Sequence, residues 1–116
     1  MSGDKLYSMI EGIIEDAVLS GVLREGDLAP STHQLAERFK VNPATAARGV
    51  TLLTNGGILT VSRGIGVFVA EGAREKILQR RRDAFREAFI EPMLDEAKKL
   101  GIHKRDLLAV IMAEKA

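Results

Sequence analysis

Basic side chains without acidic neighbours are concentrated in one part of this 116-residue chain. Residues 38–70 carry four basic side chains and no aspartate or glutamate, whereas residues 1–37 carry two basic side chains and seven acidic ones. The formal net charge of the whole chain is only +1, so the distribution is more informative than the total. Because no carboxylate has to approach a phosphate there, residues 38–70, here called the acid-free segment, are suited to contact with a polyanion such as nucleic acid.

Groups that could support catalysis or bind a metal are scarce. The chain has no cysteine, and its two histidines, His33 and His103, lie far apart in the sequence. No pair of carboxylates, no nucleophile with a neighbouring base and no metal-ligand spacing stands out. Gly64-Ile65-Gly66 is not a dinucleotide-binding fingerprint, because a strand is predicted after it where that fingerprint requires a helix. We therefore expect a protein that is not an enzyme, with no catalytic residue, no metal site and no cofactor.

The acid-free segment is preceded by an amphipathic helix. Apolar residues recur at helical spacing from Leu6 to Val18, and Ser20-Gly21 is expected to end this helix. A short strand is predicted at Val22-Leu23.

Two further helices are predicted around a short turn. Ser31, followed three residues later by Gln34, forms a capping box that opens a helix over about residues 32–39. Asn42-Pro43 opens a third helix that runs to about Thr54, with asparagine as the cap and proline at the first helical position.

The hydrophobic pattern changes to strict alternation after the third helix. Residues 58–62 and 67–70 predict two strands joined by a glycine-containing hairpin. Two helices, a short turn and a following hairpin are typical of a winged helix-turn-helix, whose second helix enters the major groove of DNA by its N-terminus. The small side chains and free backbone N–H groups at the start of the third helix would approach DNA closely, and Arg48 could reach a base edge. Arg63 at the hairpin tip could enter a minor groove.

The remainder of the chain predicts a second, helical part. We place the boundary at Glu71-Gly72, which divides the chain into a DNA-binding domain over residues 1–71 and a helical dimerisation region over residues 72–116. So few residues cannot bury the apolar faces of their own helices, so we expect these faces to pack on the first domain or on a second copy. The residues predicted for the dimer interface are Ile77, Phe85, Phe89, Met93, Leu94, Leu107 and Ile111.

Proline should interrupt the first helix of this region. A helix is predicted over about residues 73–100, and a last one over residues 103–113. Pro92 lies inside the longer helix, where it removes one hydrogen bond and clashes with the preceding turn, so a kink or split is expected near Phe89-Ile90.

Three motifs, in order, resemble the winged-helix domain of GntR-family regulators. They are Leu28-Ala29-Pro30-Ser31, Val41-Asn42-Pro43-Ala44-Thr45 and Arg63-Gly64-Ile65-Gly66-Val67-Phe68-Val69. The resemblance covers about residues 5–70. The short C-terminal part is similar to that of the YtrA-type subgroup, whose tail is two helices used for dimerisation.

The resemblance implies a dimeric repressor, often of a transporter operon. It also implies DNA contacts from the start of the second helix, from the third (recognition) helix and from the hairpin, or wing. These predicted DNA-binding residues are Ser31, His33, Asn42, Ala44, Thr45, Arg48, Arg63 and Gly64. The sequence departs from the family pattern at His33 and Ala47, where many members carry arginine, and at Lys40, where such turns often have glycine. A left-handed backbone at Lys40 would cost on the order of 1 kcal/mol.

The predicted fold is mainly α with a small β-wing: an N-terminal winged helix-turn-helix followed by a two-helix C-terminal dimerisation segment. The predicted function is that of a sequence-specific transcription regulator that binds a pseudo-palindromic double-stranded DNA operator as a homodimer. The alternative is a winged-helix protein-interaction module whose basic segment meets an acidic partner. Because no leader and no apolar span are present in the sequence, we expect a cytoplasmic protein without membrane contact. Any small-molecule effector is expected in a pocket shared by the domain and the helices.

Overall fold

The structure, a computed structural model, describes residues 3–115, with side chains described from residue 6 onward. It divides into two compact units, the first ending at Gln79 and the second beginning at Arg80. The division lies beyond residue 71, where the sequence places the domain boundary.

Three helices form the body of the first unit. They are α1 (Gly3–Ser20), α2 (Thr32–Phe39) and α3 (Pro43–Asn55). The inner face of α1 buries Ile10, Ile14 and Val18, which follow each other at four-residue spacing and therefore lie on one face.

Local hydrogen bonds explain where the second and third helices begin. The Ser31 hydroxyl accepts from the Gln34 backbone N–H at 3.1 Å, and the Gln34 side chain accepts from the Ser31 N–H at 2.9 Å, which confirms the predicted capping box. The Asn42 side chain accepts from the Ala44 N–H at 2.8 Å, and Pro43 occupies the first turn. Between the helices, Lys40 has φ 53° and ψ 47°, so the turn uses a left-handed residue that is not glycine.

The predicted hairpin is present as two short antiparallel strands, β1 (Leu59–Ser62) and β2 (Gly66–Val69). Their register pairs Leu59 with Val69 and Ser62 with Gly66. At the tip, the Ile65 N–H donates to the Ser62 carbonyl at 3.0 Å, and Gly64 has φ 76°, which is typical of the third residue of a type II turn.

The predicted strand at Val22-Leu23 is wrong, because these residues form a bend that closes α1. The Leu23 N–H donates to the Ala17 carbonyl at 3.0 Å, so it is used by the end of the helix and not by a sheet. The extended pairing occurs a few residues later, where Leu28 bridges Phe68 of β2.

The first two turns of α4 (Ala73–Phe85) complete the core of the first unit. Ala73 and Ile77 are fully buried and belong to the same apolar cluster as α1, α2, α3 and the hairpin. Ile77 is therefore a core residue of the first unit, and its prediction as a dimer-interface residue is wrong. The spacing of apolar residues shows that α4 has an apolar face. It does not show which part of the protein that face packs against, so the sequence did not reveal that Ile77 belongs to the first unit.

A distant carboxylate caps the start of α4. The Glu25 side chain accepts from the Gly72 N–H at 2.8 Å and from the Arg74 N–H at 3.3 Å. These donors have no partner within the helix, so the loop after α1 satisfies them and also places a negative charge at the positive end of the helix dipole.

The described part of the second unit is mainly helical. It contains the end of α4, a π-helical turn over Arg86–Ile90, and the helices α5 (Glu91–Lys99) and α6 (Lys104–Ala113). In the π-helical turn the Glu91 N–H bonds to the Arg86 carbonyl five residues earlier. The helix does not split near Phe89-Ile90: its backbone stays helical, and the hydrogen-bond spacing widens to that of a π-helix ahead of Pro92.

Helix α6 carries an apolar surface that none of the described residues covers. None of its residues is buried, and Met112 is 82% exposed. Its start is fixed by Asp106, whose carboxylate accepts from the His103 N–H at 3.2 Å. Among the described residues 3–115, no helix combines the length and apolarity needed to cross a membrane.

Candidate nucleic-acid interface

The predicted DNA-binding residues lie on three elements of the first unit: the start of α2, the start of α3 and the tip of the hairpin. Each group is held by its own local contacts.

At the start of α2, the predicted residues Ser31 and His33 are both exposed. The Ser31 hydroxyl is engaged in the capping box, so its first role is to hold the helix end. The imidazole Nε2 of His33 lies 3.3 Å from a carboxylate oxygen of Glu37, one turn further along α2. The Glu37 carboxylate places a negative charge beside His33, which disfavours the approach of a phosphate at this point.

At the start of α3, Asn42, Pro43 and Ala44 are exposed and Thr45 is half-buried. The backbone donors of this turn are already used: the Ala44 N–H bonds to the Asn42 side chain, and the N–H groups of Thr45 and Ala46 bond to the Asn42 carbonyl at 2.9 and 3.1 Å. Proline has no N–H to offer. The expectation of free backbone donors at this turn is therefore wrong, and a ligand here would meet side chains and the helix dipole.

Arg48 lies one turn and a half further along α3 and is exposed. Its guanidinium carbon lies 4.2 Å from the centroid of the Tyr7 ring, on α1. This is a cation–π contact, in which the positive charge is attracted by the electron-rich face of the ring. Sequence reasoning missed Tyr7, although its position three residues before Ile10 places both on the face of α1 that meets α3.

The hairpin tip carries Arg63, Gly64 and Ile65, all exposed. Positive φ at Gly64 lets the turn close without a side chain at its apex. Two apolar side chains of this element, Val61 and Ile65, are also largely exposed, Ile65 by 72%. The sequence did not predict them as site residues. Their exposure, unusual for large apolar side chains, is the feature that marks them as candidates for contact with a ligand.

The comparisons with known proteins decide the family. Residues 6–69 match the family described as "Bacterial regulatory proteins, gntR family". This chain belongs to the GntR family.

Two curated relatives of this GntR regulator come from Bacillus subtilis. "Uncharacterized HTH-type transcriptional regulator YhcF" is 31% identical over 92% of this chain and 87% of its own length. "HTH-type transcriptional repressor YtrA" is 26% identical over 81% of this chain and 72% of its own length. The sequence-based resemblance to the GntR family and to its YtrA-type members is thereby confirmed.

A solved structure supports the same assignment. The putative transcriptional regulator of the GntR family from Bacteroides thetaiotaomicron superposes with a TM-score of 0.81, at 27% identity, over 92% of this chain and 93% of that one. The mainly helical fold with a two-stranded wing is the winged-helix fold of the family, as the sequence predicts. The GntR regulator is a transcriptional regulator with a DNA-binding helix-turn-helix, and its relatives and fold are those of regulators.

The remaining predicted interface residues of the GntR regulator lie on the second unit and on α4. Phe85 and Phe89 are 56% and 63% exposed, and their rings lie 5.4 Å apart at a tilt of 44°. Ile111 on α6 is 51% exposed. Met93, Leu94 and Leu107 are half-buried.

Proposed function

We propose that this GntR regulator is a repressor that binds a pseudo-palindromic operator as a homodimer. In this proposal α3 enters the major groove by its N-terminus and the hairpin contacts the adjacent minor groove. The observation that carries the proposal is the start of α3, which is exposed, built of small side chains and part of a segment without a carboxylate.

The side chains at this end of α3 suit a close approach to base pairs. Ala44 and Ala47 add little bulk, so the helix can enter a groove about 12 Å wide. Arg48 can donate two hydrogen bonds to a guanine edge, and such a pair contributes roughly 1–3 kcal/mol of discrimination. Arg63 on the hairpin can follow the negative potential of a narrow minor groove.

The dimer in this proposal is formed by the helical part of the chain. The aromatic pair of Phe85 and Phe89 and the apolar face of α6 are left uncovered by the described residues of one chain. Burying each large apolar side chain contributes about 1.5–3 kcal/mol, which makes a second copy a favourable cover. Two copies related by a twofold axis would place two recognition helices on an operator with matching symmetry.

Repression is the regulatory sign we propose, because the relative YtrA is named a repressor. The resemblance to the GntR family extends the proposal to a transporter operon as the target. Deletion of the gene should raise transcription of the target operon several-fold, measured by sequencing cellular RNA. A fall in transcription would contradict repression and leave DNA binding intact.

The experiment that tests the proposal is selection of bound duplexes from a random pool. We expect an inverted repeat with half-sites separated by about one helical turn, roughly 34 Å, or a multiple of it. The mass of the complex, measured on the selected duplex, should correspond to two protein chains per site. Affinity should fall steeply with salt, because phosphate contacts release counterions. A pool that shows no enrichment and binds equally weakly throughout would contradict operator binding and favour the protein-interaction alternative.

A further inference from the structure

A contact between α1 and α3 places an aromatic ring against Arg48. The guanidinium carbon lies 4.2 Å from the centroid of the Tyr7 ring, well inside the range of about 6 Å for a cation–π contact. Tyr7 is half-buried and Arg48 is exposed. The ring is therefore held by the protein body, while the guanidinium stays at the surface.

The residue after Arg48 explains why the two helices come close enough for this contact. Gly49 is buried, and a Cβ atom there would lie 2.9 Å from Cγ2 of Ile10 and 3.3 Å from the Tyr7 carbonyl oxygen. Such distances are too short for ordinary packing, so a residue without a side chain is needed for α1 to lie against α3 at this point. The absence of a side chain at Gly49 allows α1 to pack closely against α3. The same part of α1 carries Tyr7, whose ring thereby contacts Arg48.

We propose that Tyr7 is a positioning residue for DNA recognition: its ring holds the Arg48 guanidinium at the surface of α3 before DNA arrives. This inference rests on the proposed function, in which Arg48 contacts DNA. A guanidinium whose carbon lies over a ring can still donate hydrogen bonds along its edge, so the cation–π contact and a base contact are compatible. An arginine that is already held in one orientation loses less rotamer freedom on binding, which raises affinity without any new contact to DNA.

The first test compares two substitutions of Tyr7 on the selected operator. Tyr7→Leu removes the aromatic face, and we expect operator affinity to fall roughly threefold to tenfold. Tyr7→Phe keeps the face and should bind within about twofold of the original protein. Thermal melting of both variants checks that the fold is retained. Equal losses for the two variants, or no loss for Tyr7→Leu, would overturn the proposal.

A double-mutant cycle then asks whether Tyr7 acts through Arg48. In a chain that carries Arg48→Ala, the added Tyr7→Leu substitution should produce no further loss of affinity. Independent, multiplying losses would overturn the proposal, as would an Arg48→Ala variant that binds like the original protein. Failure of the proposed function gives a different result, because the unsubstituted protein would then select no operator at all.

A spectroscopic test avoids substituting Tyr7. The chain has one tyrosine, so isotope labelling of tyrosine rings reports on Tyr7 alone. We expect the ring signals of the whole protein in an NMR spectrum to shift in the Arg48→Ala variant and also when the operator is added to the unsubstituted protein. Ring signals that ignore Arg48→Ala would show that the stacking does not form, which overturns the proposal.

Discussion

Among single residues, Arg48 should contribute most to sequence discrimination. Arg48→Ala should weaken operator binding by roughly 1–3 kcal/mol and bring the affinities for operator and scrambled duplex closer together, because a guanidinium at a base edge reads sequence. Fluorescence anisotropy titrations with both duplexes measure this. The control is Arg74→Ala, which removes an exposed positive charge outside the helix-turn-helix and the wing. An equal loss on both duplexes for Arg48→Ala would assign this residue to phosphate contact.

Lys40 is a second residue with a measurable consequence, because its backbone is left-handed. Lys40→Gly should raise the free energy of unfolding by about 0.5–1 kcal/mol, since glycine avoids the steric cost of this conformation but loses more freedom on folding. Urea unfolding measures the change. Lys40→Ala is the control, because it removes the same side chain and keeps a Cβ atom. Equal stability of the glycine and alanine variants would contradict a strained backbone at this position.

At the scale of residues, what the sequence reveals depends on the range of the interaction. The caps made by Ser31 and Asn42 could be predicted because the partners lie within three residues. The Tyr7 contact with Arg48 could not, because it joins residues of two helices whose mutual placement is set by tertiary packing. The backbone N–H groups at the start of α3 are not free because they bond to Asn42. This result could have been predicted from the sequence by assigning a partner to each backbone donor.

At the scale of helices, two glycines give opposite expectations for the same substitution. A Cβ on Gly49 would overlap Ile10, whereas one on Gly12, in the middle of α1, would meet nothing within 4 Å. Gly49→Ala should lower the free energy of unfolding by about 1–3 kcal/mol through overpacking. Gly12→Ala should raise it by about 0.5–1 kcal/mol, because alanine restricts the unfolded chain and favours helix. Parallel urea titrations check the pair, and a shared sign would contradict the packing described between α1 and α3.

The interrupted helix before Pro92 shows how far element prediction reaches. Proline chemistry predicts a disturbance of the helix near Phe89-Ile90, because the ring clashes with the preceding turn, and the structure has a π-helical turn at this place. The sequence did not predict that this disturbance would be a π-helical turn and not a break into two helices. That outcome depends on which backbone hydrogen bonds the surrounding structure allows. The strand expected at Val22-Leu23 failed for a related reason, since two apolar residues carry no information about which backbone will pair with them.

The whole molecule is expected to associate through its uncovered apolar surface. Phe89→Glu should raise the dimer dissociation constant roughly 10- to 100-fold, because a charge would replace a ring buried in the interface. Sedimentation over a range of concentrations measures this dissociation constant. Operator affinity should fall in parallel, because the two DNA-binding units would no longer be joined in one dimer. Val22→Glu is the matched control, since Val22 is 76% exposed on the first unit. A Phe89→Glu protein that remains dimeric would place the interface elsewhere.

The overall architecture was largely predictable, whereas the division of the chain was less so. The order of helices and hairpin follows from local periodicity and turn chemistry, which the sequence displays directly. The division between the units depends on Ala73 and Ile77, whose burial in the first unit is a tertiary fact. A composition change at Glu71-Gly72 marks the end of the hairpin and not the end of the core.

The Glu25 carboxylate caps the start of α4 by accepting hydrogen bonds, and Ile77 of α4 is buried in the first unit. The DNA-binding unit therefore cannot be separated at the point where its hairpin ends. A recombinant fragment that ends at residue 71 would lack Ala73 and Ile77, which fill part of the hydrophobic core. It should be less stable than one cut after residue 79 by at least about 2–5 kcal/mol, the usual cost of leaving such a hole. Calorimetric melting of the two pieces compares them directly. A fusion of this DNA-binding unit to another protein should therefore include the first two turns of α4, up to Gln79.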